Sequence, residues 1–514
     1  MPGPCVLTLD LGTSACKATL FRLDGGIAAQ ASVEYPTRHP APGWAEQEAD
    51  AWWDAASAGV RRLPPDLRRS VVAVGLSSHR GGVVPVDAAG RPLGPCIIWM
   101  DRRSLPQLEA FVRAFGRERL HRVTGLVPDT EFTASKLLWL REHDPATFRA
   151  ARAYLQPRDY LYLRLTGEPA TDYTLASRTM LLDITQRTWW ADGCAYVGVT
   201  PGAFPPLFPS AAAPYRVSDE AAAILEIPAG VPVAVGAGDR PCEALGCGTG
   251  AGRVMVSTGT TTNVSAVVPD IPAVLDPRVM SSLHAVDGAI LLEQGMSASG
   301  AILRWMRDRL LAGRTDYPKL DALAASAPAG AGSLLFLPFM MGARATRWDP
   351  DARGVWFGLT EAHDRGALVR SIMEGVAYEV RACLDVLEGM GVRAGEVVAV
   401  GGGARSALWD RILADVLDRP VGVPRQTDAA SLGAMLLAAV AIGCYPTPER
   451  AARSLNPVVE TYRPSPRAAA AYRALWDTYM RLYDALRPVF REIAASQREG
   501  GADGRPGTAP AREG

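Results

Sequence analysis

Lysine is nearly missing from this sequence. Only Lys17, Lys136 and Lys319 occur, so 51 of the 54 basic residues are arginine. The bias reads as that of a GC-rich genome, and it lends weight to any lysine inside a motif. Net charge is missing too, since 54 basic residues face 54 acidic ones. A balanced chain is not built as a general nucleic-acid binder or a polybasic membrane-surface protein, although a local basic site remains open. The eight cysteines include no C-x-x-C pair, which argues against a zinc or dithiol site. Dispersed thiols of this kind suit a reducing cytoplasm. No basic stretch followed by a long apolar run opens the chain, so no signal peptide is expected. An uncharged stretch does run between Asp428 and Glu449, and 432–442 is mostly apolar. It falls short of the about 20 apolar residues that cross a bilayer, so it reads as a helix buried on all sides.

What is present is a globular chain of 514 residues, 48% apolar and 21% charged. That length predicts two or more domains. Apolar, β-rich runs at 6–11, 18–22 and 27–35 surround two turns and predict an antiparallel meander. Further strands are expected at 71–77, 83–86, 96–100, 231–235 and 397–400. Helices are expected at 49–63, 136–142, 299–311, 365–390, 406–417 and 468–490. Strands and helices alternate throughout, which makes the class α/β. Residues 496–514 are rich in glycine and lack large apolar side chains, so this tail is expected to be disordered.

The chain also repeats itself. Leu7-Thr-Leu-Asp10-Leu-Gly12-Thr13-Ser14 is matched by Val254-Met-Val256-Ser257-Thr258-Gly259-Thr260-Thr261, with Gly and Thr 247 positions apart in both cases. An offset near half the chain favours two similar domains. One position breaks the match: Asp10 in the first copy is Ser257 in the second.

Several strand ends carry candidate chemistry. Gly12 permits a tight turn, and the backbone and hydroxyls of Thr13 and Ser14 can donate to phosphate oxygens. Asp10 can hold Mg²⁺ through water, and Lys17 can add positive charge. A plain hairpin turn is the simpler reading of the same residues. Ser257 to Thr262 offers a second hydroxyl-rich turn, or else a β-favouring threonine run. Gly401-Gly402-Gly403-Ala-Arg405-Ser406 lies between a strand and a helix, where a flat ligand can approach the backbone. It lacks the dinucleotide spacing G-x-G-x-x-G, so a dehydrogenase is the weakest reading, and a tight turn also explains it. Asp239, in Gly236-Ala-Gly238-Asp239-Arg240-Pro241, can act as a base towards a hydroxyl or simply cap a helix. His79 and Arg80 end one short strand, and Trp99 and Asp101 another. Polar groups beside an aromatic face suit a polyol pocket, while each of these residues could equally be structural.

Taken in this order, the motifs resemble the FGGY family of carbohydrate kinases over roughly residues 5–490. The resemblance rests on Asp10–Lys17, 99–103, 132–140, 159–167, Asp172-Tyr173, 236–239, 257–261, 348–354, Glu374-Gly375 and 401–406. It implies two actin-like (ribonuclease H-like) α/β domains with a nucleotide cleft between them. Residues 1–247 would hold the sugar and the base. Residues 248–495 would hold the nucleotide, with the last helix packing back on the first domain. ATP and Mg²⁺ are the implied cofactors. Asp239 is then the catalytic base and, with Asp10, a metal-associated carboxylate. Gly12, Thr13, Ser14, Lys17, Gly259, Thr260 and Thr261 become phosphate positions, and Gly402, Gly403 and Ser406 the adenosine region. The sugar site comprises His79, Arg80, Trp99, Asp101, Asp239 and Arg240. A small sugar or polyol substrate, a homodimer and a cytoplasmic location follow by analogy, with no nucleic-acid or membrane partner.

The overall flavour leans to xylulose kinases. Those usually show Gln-Met-His-Gly in the first substrate loop, and glycerol kinases Gln-Arg-Glu-Thr. This chain has His79-Arg80-Gly81-Gly82, and Arg240 replaces the usual Asn or Gln. Gly342-Ala343-Arg344 lacks the family's intervening Glu. The expected function is phosphorylation of a ketopentose such as xylulose. The alternatives are a kinase for glycerol or another polyol or sugar, and a non-catalytic or ATPase-only actin-like module.

Overall fold

The computed structural model describes residues 3–250, 252–273, 275–311, 313 and 315–502. Its first half is organised by β1 (Cys5–Leu11), β2 (Ala15–Arg22) and β3 (Ile27–Glu34), an antiparallel meander. After helix α1 (Ala49–Arg61) comes β4 (Val71–Ser78), which lies parallel to β1. The sheet is completed by β5 (Tyr215–Arg216), β6 (Pro232–Val233) and β7 (Ala237–Gly238), in the order β5-β6-β4-β1-β2-β3 with β7 beside β4. Helix α2 (Asp239–Gly246) follows β7 directly.

The second half builds β8 (Arg253–Thr258), β9 (Thr262–Val268), β10 (Met280–Leu283) and β11 (Ile290–Met296). The long helix α3 (Arg365–Gly389) leads to β12 (Glu396–Val400), helix α4 (Ala407–Leu417) and β13 (Val421–Pro424). Helix α5 (Ala429–Ala441), β14 (Val458–Tyr462) and helix α6 (Pro466–Ala502) close the chain. The second sheet runs β10-β11-β9-β8-β12-β13-β14.

The two sheets share one plan. In each, three antiparallel strands (β1-β2-β3, and β8-β9-β11) are joined through the first to a parallel strand (β4, β12), then to a second parallel strand (β6, β13). An antiparallel edge strand (β5, β14) ends each set. The Gly-Thr turns of the sequence repeat are thus the first hairpins of two equivalent sheets.

Burial on both faces explains why β1 is so apolar, because a central strand must cover helices on either side. Leu7, Leu9 and Leu11 point to one core with Trp52, Ala56 and Val60 of α1. Val6 points to the other, among Leu432, Leu436 and Ala438 of α5.

That second contact corrects one expectation. The described side chains of the last helix, α6, pack on the second half and not back on the first: Tyr472, Tyr479 and Tyr483 sit in its core. The helix that crosses over is the uncharged α5, which packs on β1, β4 and α2. A second correction concerns the tail. Helix α6 continues through Ala502, into the segment expected to be disordered, and residues 503–514 lie outside the described residues. Two smaller departures are local. The 299–311 helix is α-helical only over Gly300–Trp305 before widening into a π-turn at Met306–Leu310. The 96–100 strand shrinks to Cys96–Ile97.

Candidate active site

The first hairpin turn is closed by the Gly12 amide, which donates to the Ala15 carbonyl at 2.9 Å. Its outer side is anchored by the Tyr35 hydroxyl on the Gly12 carbonyl and by the Gln47 side-chain amide on the Thr13 carbonyl (2.6 Å). The Trp99 indole donates to Thr13 Oγ1 at 3.1 Å, tying the loop that follows the Cys96–Ile97 strand to this turn. Ser14 is left exposed at the tip.

The second turn is held from behind. The amides of Ser299 and Ala301 donate to the Thr260 carbonyl, and that of Gly300 to the Gly259 carbonyl, each at 3.1 Å. Gly259 and Thr260 therefore face solvent, with Thr261 half-buried. Gly401 and Gly403 press on Thr258, where an added Cβ would sit 2.7 Å from its atoms. The glycine loop and the second turn thus form one surface, with Gly402 exposed on it. Ser406 is partly spent on structure, because its hydroxyl caps α4 through the Trp409 amide at 3.1 Å.

Between the turns, charged groups from both halves meet. Asp10 stands opposite Lys17 on the β1–β2 ladder and beside Ser77 of β4. Burial pushes the Asp10 carboxyl up to about 6; Lys17 opposes the rise, while Asp428 and Asp239 add to it. Lys17 reaches into the second half and pairs with Asp428 at 2.6 Å. Burial works against the ammonium, but Asp428 and Asp10 outweigh it and hold Lys17 above the usual lysine range. Ser257, the second-copy counterpart of Asp10, serves differently: its hydroxyl donates to Glu243 at 2.6 Å and accepts from Arg240 at 3.2 Å.

Asp239 occupies the first position of α2, with Gly238 as the cap residue. It is not the cap the simpler reading gave. Its side chain is 37% exposed and accepts from Arg80 Nε at 3.1 Å. The other two Arg80 nitrogens grip Glu293 of β11 at 3.0 and 2.9 Å. Glu293 also takes Arg178, which in turn reaches Glu131. Glu131 takes Arg344 at 2.9 Å. Burial alone would raise the Glu293 carboxyl, but Arg178 and Arg80 reverse that and bring it to about 2. Arg240 pairs with Glu243 at 2.7 Å.

The sugar-site expectations fare unevenly. Arg80 bonds Asp239 at the start of α2, Trp99 bonds Thr13 of the first turn, and Arg240 bonds Ser257 before the second. His79 is 2% exposed, lies edge-on to Trp52 and has no partner on either ring nitrogen. Burial brings its imidazole down to about 4, despite the nearby Asp239 charge, so it stands neutral behind the loop. Asp101 is not brought to the cleft, which corrects its assignment. It is fully buried and takes the Ala45 amide (2.6 Å), the Arg103 amide (2.9 Å) and the Arg103 guanidinium (2.7 Å). A carboxylate so occupied has nothing left for a sugar. Gly81 has φ +80°, and a Cβ there would lie 2.3 Å from the Glu131 carbonyl oxygen. No side chain can stand at that position without moving the loop. Lys136, buried below, donates to the Glu131 carbonyl at 2.6 Å and to the Gly81 carbonyl, pinning the loop from beneath.

Sequence reasoning missed Glu131, Arg178, Glu243, Glu293 and Asp428. Only Asp428 carried a signal, as the last charge before an apolar helix.

Asp10 and Asp239 offer the hard oxygen donors Mg²⁺ prefers. Among the described residues no three or more His, Cys, Asp or Glu side chains group into a metal site. This donor set suits an ion held mainly by water and phosphate with one or two carboxylates.

The model of the FGGY family of carbohydrate kinases, N-terminal domain, matches residues 5–246, and the C-terminal domain model matches residues 247–442. The chain is 32% identical over 487 residues to the xylulose kinase of Escherichia coli, covering 94% of this chain and 99% of that one. It is 27% identical to the gluconokinase of Bacillus subtilis, covering 96% and 98%. The solved xylulose kinase of Rhodospirillum rubrum superposes with a TM-score of 0.86 at 32% identity, covering 95% and 100%.

Proposed function

This chain belongs to the FGGY family of carbohydrate kinases, and from that premise we propose that it phosphorylates a ketopentose of the xylulose type with Asp239 as general base. As a member of that family it is an enzyme of the actin-like ATPase fold, uses ATP and takes a small sugar. One observation carries the assignment of the base. Asp239 is a partly exposed carboxylate at a helix start, held by Arg80 and close enough to Asp10 for their charges to interact.

Phosphoryl transfer asks a protein mainly to position groups and neutralise charge. Asp239 accepts the proton of the attacking sugar hydroxyl as the oxygen takes the phosphoryl group. Thr13 and Ser14 on one side, and Thr260 and Thr261 on the other, donate to the polyphosphate, while Gly12 and Gly259, whose amides close their own turns, let it approach the backbone, with Lys17 adding charge. Gly402, Gly403 and Ser406 receive the adenosine. Asp10 and Asp239 would hold Mg²⁺, which would offset the phosphate charge. The two lobes, 1–247 and 248–495, close over the sugar and exclude water, so that the hydroxyl rather than water is the acceptor.

A second substrate reading has its own support. Arg80 stands where xylulose kinases usually have methionine, Gly81 admits no side chain, and a gluconokinase is among the relatives. Loss of polar contacts at a sugar site changes which substrate is accepted. An ADP-release assay over ketoses, polyols and aldonates separates the readings. Xylulose should give the highest kcat/KM; a polyol or aldonate that exceeds it replaces that assignment. Asp239→Asn should abolish transfer and keep ATP binding. Wild-type turnover in that variant would remove Asp239 as the base.

The family analogy adds a homodimer, which sedimentation of the full chain tests. A cytoplasmic location is supported by eight free cysteines, all but Cys444 buried. Among the described residues no helix is long and apolar enough to cross a membrane.

A further inference from the structure

Glu293 belongs to β11 of the second half, yet its carboxylate is committed to the first. It is 1% exposed and receives Arg80 at 2.9 and 3.0 Å, Arg178, and the Ser282 hydroxyl at 3.4 Å. No face of it is left for a substrate. Arg80 is nearly as enclosed, with its side chain 10% exposed. A guanidinium is a planar fork. When its two terminal nitrogens are gripped by one carboxylate, the direction of Nε–H is fixed, and here it points at Asp239 Oδ1.

We infer that Glu293 is a positioning residue for the kinase reaction, acting across the cleft through Arg80 to orient the carboxylate of Asp239. The inference rests on Asp239 being the base. It assigns a role to a residue that touches neither sugar nor nucleotide, and it makes the base's orientation depend on contact between the two halves. Held at Nε, Asp239 turns its other oxygen, Oδ2, to the cleft as the proton acceptor. Released by Arg80, the carboxylate keeps only the Arg240 amide on Oδ1 at 2.8 Å and can turn about that one bond, and a misplacement of about 1 Å lowers turnover roughly a hundredfold.

The ion pairing also explains why arginine is needed at position 80. A lysine ammonium is a single point charge. It cannot grip both oxygens of Glu293 and still aim a separate N–H at Asp239.

A double-mutant cycle on kcat tests the inference, with Glu293→Gln, Arg80→Met and the pair, each measured on the full chain with its best sugar. Each single variant should lower kcat about 10- to 100-fold. The pair should fall no further than Arg80→Met alone, because Glu293 works through Arg80. The solvent deuterium isotope effect on kcat should rise in both single variants, as proton transfer becomes slower. Loss of folded enzyme would leave that ratio unchanged. Multiplicative losses in the pair, or wild-type kcat in Glu293→Gln, would overturn the inference. Arg80→Lys guards against a variant that does not fold, since Arg178 still pairs Glu293 in it. It should lose kcat to within about threefold of Arg80→Met, and a wild-type kcat there also overturns the inference. Asp239→Asn keeps the two readings apart. If Asp239→Asn is active, the base assignment fails. If Asp239→Asn is inactive while Arg80→Lys keeps full turnover, only the role of Glu293 fails.

Discussion

The crossing of α5 over α2 yields a stability prediction that helix propensity alone would get backwards. Gly433 lies inside α5, where alanine would favour the helix by about 1 kcal/mol. The Cβ of that alanine, however, would sit 2.0 Å from the Cys242 carbonyl oxygen and 2.6 Å from its carbon. Ordinary contact begins at 3.4 Å. The obstacle is backbone, so no side chain can swing away. The crossing is reciprocal: a Cβ on Gly246 of α2 would meet the Ala429 carbonyl at 2.0 Å, and one on Gly75 of β4 the Ala434 carbonyl at 2.2 Å. Relief requires α5 to lift from α2 and β4 by more than an ångström. Leu245, Leu432, Met435 and Leu436 are all fully buried in the layer it would open. A gap of about 0.5–1 Å forfeits a quarter to a half of each dispersion contact, and overpacking costs roughly 1–3 kcal/mol. We expect Gly433→Ala to destabilise the protein by about 2 kcal/mol despite its better helix propensity. Urea denaturation followed by tryptophan fluorescence measures this. Gly389→Ala is the control, since that position ends α3 with open space around it, and it should be neutral or slightly stabilising. If Gly433→Ala matches or exceeds wild-type stability while the control behaves, the close backbone approach is refuted.

Two further predictions concern the floor and the wall of the cleft. Asp410 of α4 lies under the glycine loop, 3% exposed, and its Oδ2 has no partner. Burial, aided by Glu460 and Asp321, pushes its carboxyl up to about 7. The folded state then holds a proton the unfolded state has released, so stability falls as pH rises from about 4 to 7. Asp410→Asn should therefore be more stable than wild type at pH 8 by about 4 kcal/mol and nearly equal to it near pH 4; a pH-independent difference in thermal melts would refute the assignment. Trp99→Phe removes the indole N–H bond to Thr13 together with part of the ring face and should lower kcat/KM at least about fivefold, the worth of one net hydrogen bond. An unchanged kcat/KM would show that this tie between loop and turn does not matter.

Much of the fold was legible because it is written locally. The meander shows in 6–35 as apolar runs broken by Gly and Ser. The duplication shows because both hairpins need a glycine turn after a buried strand. The lack of charge in α5 marks it as buried but does not name its partner, because burial says nothing about which sheet a helix covers. The same limit applies to α6, whose tyrosines face their own half. Within the site, the sequence marks residues that sit in glycine- and hydroxyl-rich motifs and leaves unmarked those outside them, whether on a strand (Glu293), in a helix (Glu243) or in a turn (Glu131, Arg178). Glu293, Arg178 and Glu131 lie in unremarkable local sequence, and their meaning comes from pairing with residues 47 to 213 positions away. Asp101 was misread for the opposite reason. It ends a strand beside Trp99, as a substrate contact would, but Arg103 two residues on claims both of its oxygens.

The shortage of lysine takes on a different sense beside this charge network. Arg80, Arg178 and Arg344 each join two carboxylates, Arg80 linking Asp239 to Glu293, Arg178 linking Glu293 to Glu131, and Arg344 linking Glu131 to Asp129. Arg240 joins Glu243 to Ser257. Each link uses different nitrogens, or a shared one, of a rigid fork, which a lysine cannot copy. The two lysines near the site act otherwise. Lys17 meets one carboxylate at the cleft mouth, and Lys136 meets two backbone carbonyls beneath the Gly81 loop. A genome that favours arginine can supply the forks, but it does not explain why these forks chain together. Each carboxylate in the chain is shared by two arginines, Arg102 being the second at Asp129, or by an arginine and the cleft, so removing one partner leaves a charge short of a partner, and at Glu293 a buried one. The network is therefore expected to resist piecemeal exchange: an arginine-to-lysine change that is harmless on the surface breaks a link here.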